Sequence, residues 1–164
     1  YAHGKSDLVI VDDKFEIYTS RDGGDSWQAF LGAVTKDKAN SRNASTGKNG
    51  FYPYNEYPAV LLYGSYGASQ YQPVALPPEV KSLSGVTEKG SGLFVEKQVT
   101  VWTKDTPNPF FVRPAGGTAW ETRYKPNALC GRIAFADADG MSLSVRCDKE
   151  LFLSKDGGKT WQKK

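Results

Sequence analysis

Short stretches of alternating apolar and polar residues, broken by Gly, Pro, Asn, Asp and Ser, run along most of this 164-residue chain. That period of two is the mark of half-buried β-strands. The N-terminal third reads as a meander. Asp7 to Val11 is a short apolar run, Asp12-Asp13 turns the chain, and Phe15, Ile17 and Thr19 alternate with Glu16 and Tyr18. Ser26 to Leu31 reads as a third strand. The C-terminal third repeats this grammar, with strands expected over Arg132 to Ala136, Met141 to Cys147, Leu151 to Ser154 and Thr160 to Gln162. Four antiparallel strands joined in order make one compact sheet with the shape of a propeller blade. Between the two ends, Thr35 to Gly50 is polar and reads as a long exposed loop. Ala59 to Tyr63 reads as a strand. "QPVALPPEV" reads as irregular or edge-like, because proline cannot donate to a ladder. Leu93 to Thr103 reads as a long central strand that bends or splits near Lys97-Gln98, and "NPFFVRP" and "TAWETRY" add two more. No segment has a helical period, and the whole predicts about ten to twelve strands in a single all-β domain over 1–164.

One phrase occurs twice: "SRDGGDSW" from Ser20 to Trp27 and "SKDGGKTW" from Ser154 to Trp161. The glycine pair supplies the positive φ that a tight turn needs. The Asp side chain can accept hydrogen bonds from turn N–H groups that lack ladder partners, and the Ser or Thr hydroxyl can satisfy another. The Trp can pack its large face beneath the turn. Ser20, Asp22, Gly24, Ser26 and Trp27, and Ser154, Asp156, Gly158, Thr160 and Trp161, fit the pattern of the Asp-box, or BNR repeat, and the chain resembles the β-propeller proteins that carry it. The resemblance implies that these residues are structural fasteners between the third and fourth strands of a blade. It implies a small β-propeller or propeller-like antiparallel sheet assembly. A β-sandwich carrying the same hairpins is the alternative.

Cys130 and Cys147 flank two alternating segments. With Asp137-Ala138-Asp139-Gly140 as the hairpin loop, Ala136 faces Met141 and residue 130 falls opposite 147. A disulfide is therefore expected, with an oxidising and hence periplasmic or secreted location. The chain begins at Tyr1, compatible with a mature product that has lost a signal peptide or with a trimmed chain. A net charge of +3 does not by itself imply nucleic acid. No run is long and apolar enough to span a membrane.

The candidate chemistry is sparse. The one histidine, His3, lies near a terminus, which argues against a Ser-His-Asp or Cys-His site. Sialidases carry Asp-boxes, but their arginine triad and six-bladed scaffold do not fit this length. Asp137-Ala138-Asp139-Gly140 reads as a turn in preference to a calcium site. No cofactor, metal or catalytic residue is expected. The segment Phe51 to Tyr71 is dense in tyrosine. Some of these tyrosines belong to the core, Tyr63 among them, but tyrosines on loops also make rigid recognition surfaces for a protein or a sugar ring, so Tyr52, Tyr54, Tyr57 and Tyr66 are candidate protein-binding anchors, with Arg113 and Arg123 as secondary ones and core packing as the alternative. The profile of size, disulfide and Asp-boxes is similar to that of periplasmic immunity proteins against type VI secretion toxins, the lipase-immunity group. That resemblance implies a non-catalytic protein that occludes the active site of a cognate toxin enzyme. A carbohydrate-binding, sialidase-like lectin is the alternative. The Asp-box propellers that help to build photosystems are a third comparison, against which the short length argues.

Overall fold

The structure is a computed structural model that describes residues 2–3, 7–11, 17–29, 43–48, 50–66, 72–100 and 103–164. Among the described residues, sixteen strands form four antiparallel sheets of four, each joined in chain order. The first sheet holds β1 (Ala2–His3), β2 (Asp7–Val11), β3 (Ile17–Ser20) and β4 (Gln28–Ala29). The second holds β5 (Asn43–Thr46), β6 (Gly50–Asn55), β7 (Val60–Ser65) and β8 (Gln72–Pro73). The third holds β9 (Leu83–Lys89), β10 (Gly92–Lys97), β11 (Pro109–Pro114) and β12 (Glu121–Tyr124). The fourth holds β13 (Ala134–Phe135), β14 (Leu143–Cys147), β15 (Glu150–Ser154) and β16 (Gln162–Lys163). The chain divides into two compact units, Tyr1–Ser82 and Leu83–Lys164, with two sheets in each.

Several elements depart from the pattern reading. Asn43–Thr46 is a strand within the polar stretch expected to be loop, because it pairs along the whole of β6 up to Tyr54. Backbone pairing needs no apolar side chain, so composition missed it. The tyrosine-rich segment supplies β6 itself. The strand expected from Leu93 to Thr103 with a split near Lys97-Gln98 runs as Gly92–Lys97, its register against β9 shifting between Glu96 and Lys97, and residues 101–102 lie outside the described residues. Leu83–Lys89, unassigned in the sequence, is its antiparallel neighbour. The expected turn at Asp12-Asp13 and the end of the expected strand at Leu31 lie outside the described residues.

In the second unit the third sheet is buried on both faces. Phe94, Phe110 and Val112 pack with Ile133 and Leu143 on one side. Leu93, Val95 and Phe111, which alternate with them, are buried on the other. Phe135 and Trp161 close the first of these clusters, and Trp161 and Phe152 also flank Val145 and the two cysteines. A buried ion pair crosses the unit. Lys125 Nζ lies 2.6 Å from Glu96 Oε2 and donates to Gly131 O, while Ile133 N–H points at the same carboxylate.

Cys130 and Cys147 form the disulfide and face one another as an isolated antiparallel bridge. The hairpin between them is one residue out of the expected register. Phe135 pairs with Leu143 and Ala134 with Ser144, and Ala136 N–H donates to Ser142 O in place of facing Met141. The Asp137 carboxylate takes the N–H groups of Met141 and Ser142 at 3.0 and 2.7 Å, which draws Met141 into the turn. The chain between Gly131 and Ala134 absorbs the shift, since the cysteines regain the simple register.

Candidate functional site

The two octets make the same set of bonds. In the first, Ser20 Oγ donates to Asp22 Oδ1 and accepts from Gly24 N, and Asp22 accepts from the N–H and hydroxyl of Ser26. In the second, Ser154 Oγ donates to Asp156 Oδ1 and accepts from Gly158 N, and Asp156 accepts from the N–H and hydroxyl of Thr160. The glycine pairs have φ of 75° and 103° in the first and 71° and 89° in the second. These are left-handed conformations that glycine adopts without a Cβ penalty. Both aspartates are held well below the ordinary carboxylate range, first by the hydroxyl of Ser26 or Thr160, then by that residue's N–H, then by the serine hydroxyl. A carboxylate engaged in this way works as a turn fastener.

The second octet also joins two sheets. Arg123 on β12 donates from Nη1 to Gly157 O, and Trp161 Nε1 donates to Tyr124 O at 2.8 Å. Arg123 further binds Glu121 through Nη2 at 2.7 Å, which holds the Glu121 carboxyl below its ordinary range. Arg123 is therefore engaged within the fold and does not present its guanidinium to a partner. This corrects its reading as a binding anchor.

The tyrosine candidates separate in the same way. Tyr52, Tyr54 and Tyr66 are buried. Tyr52 stacks obliquely on Tyr63 with ring centroids 5.3 Å apart, Tyr66 lies 6.0 Å from Phe51, and the Tyr66 hydroxyl reaches Gly47 O. Tyr52 and Tyr54 belong to the core of the first unit because β6 is covered on both faces, and Tyr66, just after β7, packs on Phe51 of β6. The turn-rich composition left core and surface open for this segment, and β6 decides it for Tyr52 and Tyr54. Tyr57, in the turn after β6, is 77% exposed.

Arg113 differs from Arg123. Its guanidinium lies 5.4 Å from the Trp120 ring centroid, and among the described residues no carboxylate forms a salt bridge with it. Its surroundings were missed in the sequence. Arg113 to Trp120 reads "RPAGGTAW", with the glycine pair and the tryptophan at the octet spacing. Gly116 has φ 73°, matching Gly23 and Gly157. It is the corresponding turn of the third sheet, between β11 and β12. Here Arg113 occupies the fastening serine's place, and Ala115 the aspartate's. Gly117 N–H bonds to Pro114 O in place of the serine hydroxyl that accepts the corresponding Gly24 and Gly158 N–H groups. Residues 115–119 are exposed. Continuing the β11–β12 register sets Arg113 opposite Trp120, on the same side as Thr122 and Tyr124. Trp120, Thr122 and Tyr124 thus form a row along edge strand β12, with successive members about 7 Å apart. Tyr124 is 55% exposed, and its backbone is fixed by the Trp161 indole. The missed signal was the Gly-Gly-x-x-Trp spacing, masked because Arg113 and Ala115 stand where the octets have serine and aspartate.

Among the described residues no group of His, Cys, Asp and Glu could hold a metal, and no helix is long and apolar enough to cross a membrane. Glu96, Glu121 and Glu150 are each paired with a cation.

No protein-family model and no curated protein sequence matches the chain. Solved structures do. YCF48 bound to a D1 peptide matches with a TM-score of 0.70 at 16% identity, over 99% of this chain and 50% of that one. YCF48 from Cyanidioschyzon merolae matches with a TM-score of 0.65 at 17% identity, over 99% and 54%. The fold is of the β-propeller type. An ancestral GH74 enzyme matches at 0.62 and 18% identity, over 98% of this chain and 23% of its own. The chain thus spans about half the length of the YCF48 chains it resembles.

Proposed function

We propose that this chain is a non-catalytic protein-recognition module whose contact surface is the row Arg113, Trp120, Thr122 and Tyr124. The observation that carries this reading is the third turn. It keeps the glycine pair and tryptophan of the other two but has exchanged the serine and aspartate fasteners for Arg113 and Ala115. A turn that needs no capping residues leaves an arginine stacked on an indole beside an exposed tyrosine, the residue types that dominate protein interfaces. The stacking holds the guanidinium in place before binding, which lowers the entropy lost on contact. The two bonded octets are read as Asp-boxes, fasteners that leave recognition to other turns. A protein of this fold, YCF48, has been seen bound to a peptide, which supports the same use here. The paired state of Glu96, Glu121 and Glu150 supports a non-catalytic reading.

The disulfide supports an exported protein, periplasmic or secreted. The finer step, an immunity-type inhibitor that covers the active site of a toxin enzyme, rests on the sequence profile. The test is capture from the native source by the immobilised chain, compared with an Arg113→Ala/Tyr124→Ala variant of unchanged melting temperature. The expected result is a protein retained by the first and lost by the second, whose enzymatic activity falls when this chain is added. Equal retention by both would remove the proposed surface. Binding to a glycan array that Tyr124→Ala abolishes would favour a lectin.

A further inference from the structure

The strand that ends the third sheet differs from the last strands of the other three. Among the described residues β4, β8 and β16 have two residues each, and β8 contains Pro73. Short edges and edge prolines keep other chains from pairing with a sheet. β12 has four residues, no proline and no register shift against β11. Glu121, Thr122 and Tyr124 are exposed, whereas β9, at the other edge of the same sheet, is buried or half-buried throughout.

The ladder fixes which backbone groups of β12 point outward. Lys125 N–H donates to Asn108 O, so residue 125 turns its backbone groups toward β11. In an antiparallel pair such residues alternate with residues whose N–H and C=O point the other way. Arg123 and Glu121 therefore bond to β11, and Tyr124 and Thr122 point away from it. The bond from the Trp161 indole to Tyr124 O at 2.8 Å fits this direction. Apart from that bond, Thr122 N–H, Thr122 O and Tyr124 N–H have no partner among the described residues. The indole closes the edge at the Tyr124 end.

Side chains give this edge a sign. Arg113 stands opposite Trp120, on the face of Thr122 and Tyr124. Its guanidinium lies 5.4 Å from the Trp120 ring centroid and forms no salt bridge among the described residues. The acidic residue of β12, Glu121, lies on the opposite face and is bound by Arg123. An added strand would run about 4.8 Å from β12, with alternate side chains on the Arg113 face.

We infer that β12 takes up an extended segment of a partner protein as an added strand of the third sheet. The segment pairs its backbone with Thr122 N–H, Thr122 O and Tyr124 N–H, and sets an aspartate or glutamate beside Trp120, against the Arg113 guanidinium. The occupant follows from the groups it must satisfy. Outward N–H and O groups along one edge are complemented by an extended main chain, and the unpaired cation by a carboxylate. The inference rests on the reading of Arg113, Trp120, Thr122 and Tyr124 as the contact row, and adds that main-chain pairing holds the partner.

The test uses the 164-residue chain and a library of short random peptides with blocked ends, so that every carboxylate is a side chain. The expected result is retained peptides that carry an acidic residue and bind about tenfold more weakly to Thr122→Pro, whose ring removes the outward N–H and leaves the bonds to β11 in place. Thr122→Val, which keeps the N–H, binds them as the parent does, and Arg113→Ala abolishes the preference for an acidic residue. N-methylation of alternate residues of a retained peptide abolishes binding in one phase and spares it in the other, which tests the pairing without altering the chain. Amide exchange at Thr122 and Tyr124 slows when peptide is bound. Peptides that bind Thr122→Pro as they bind the parent, and tolerate methylation in both phases, but lose affinity for Arg113→Ala leave the contact row standing and overturn strand addition. Peptides indifferent to Arg113→Ala and Tyr124→Ala as well overturn both. A library from which nothing is retained overturns strand addition alone, since capture of a folded partner tests the row separately.

Discussion

Asp22 and Asp156 each accept bonds from a serine hydroxyl and from the N–H and hydroxyl two positions beyond the glycine pair. Only the charged carboxylate accepts all of them, so folding lowers both pKa values. The sign of the consequence follows from linkage. A carboxyl whose pKa is lower in the folded state binds fewer protons there. Its contribution is therefore fully present above its unfolded pKa, near 3.9, and is lost as pH falls through the folded value. The melting temperature should fall as pH drops below about 4, with Asp137, Glu121 and Glu150 adding to the loss in the same direction. Asp156→Asn should lower stability at neutral pH and flatten this acid limb, as read by thermal melts from pH 2 to 7. An acid limb as steep as the parent's would show that Asp156 is not among its causes. The octets could be read from sequence because each fastening residue has its partner within a few positions. Arg113 could not, because its role depends on Trp120 across the ladder and on a serine that is no longer there.

At the level of elements, the second unit is held by bonds that run between sheets. The Glu96–Lys125 pair ties β10 to the segment after β12, with Gly131 O and Ile133 N–H completing its shell. Taking away one member of such a pair strands a buried charge, which costs about 3–5 kcal/mol, whereas exchanging both for apolar residues of like volume is often neutral. Lys125→Met alone should destabilise by that amount in urea titration, and Glu96→Leu/Lys125→Met should recover most of it. A single substitution of no effect would mean that water reaches the carboxylate. Pattern reading found β14 because Leu143, Val145 and Cys147 alternate with polar residues, and β15 as a short apolar run between two turns. It misplaced the hairpin before them by one residue, because Asp137 captures Met141 and Ser142 through its side chain and alternation carries no record of that capture. It left the tyrosine segment open between core and recognition surface, where Tyr52 and Tyr54 are core residues of β6.

For the molecule as a whole, four sheets of four strands follow from a repeated unit of three hairpins, and that repeat is visible at both ends of the sequence. The middle sheets were harder to read. Buried on both faces, their strands lose alternation, as Leu93–Phe94–Val95 does. The same burial leaves edges and turns for the proposed recognition, and in the turn between β11 and β12 Arg113 and Ala115 stand where the octets have serine and aspartate. The most direct measurement is amide hydrogen exchange of the intact chain with and without its captured partner. The account predicts slowed exchange across residues 113–124, with the twin octets unchanged. Protection confined to the octets, or absent from 113–124, would contradict it.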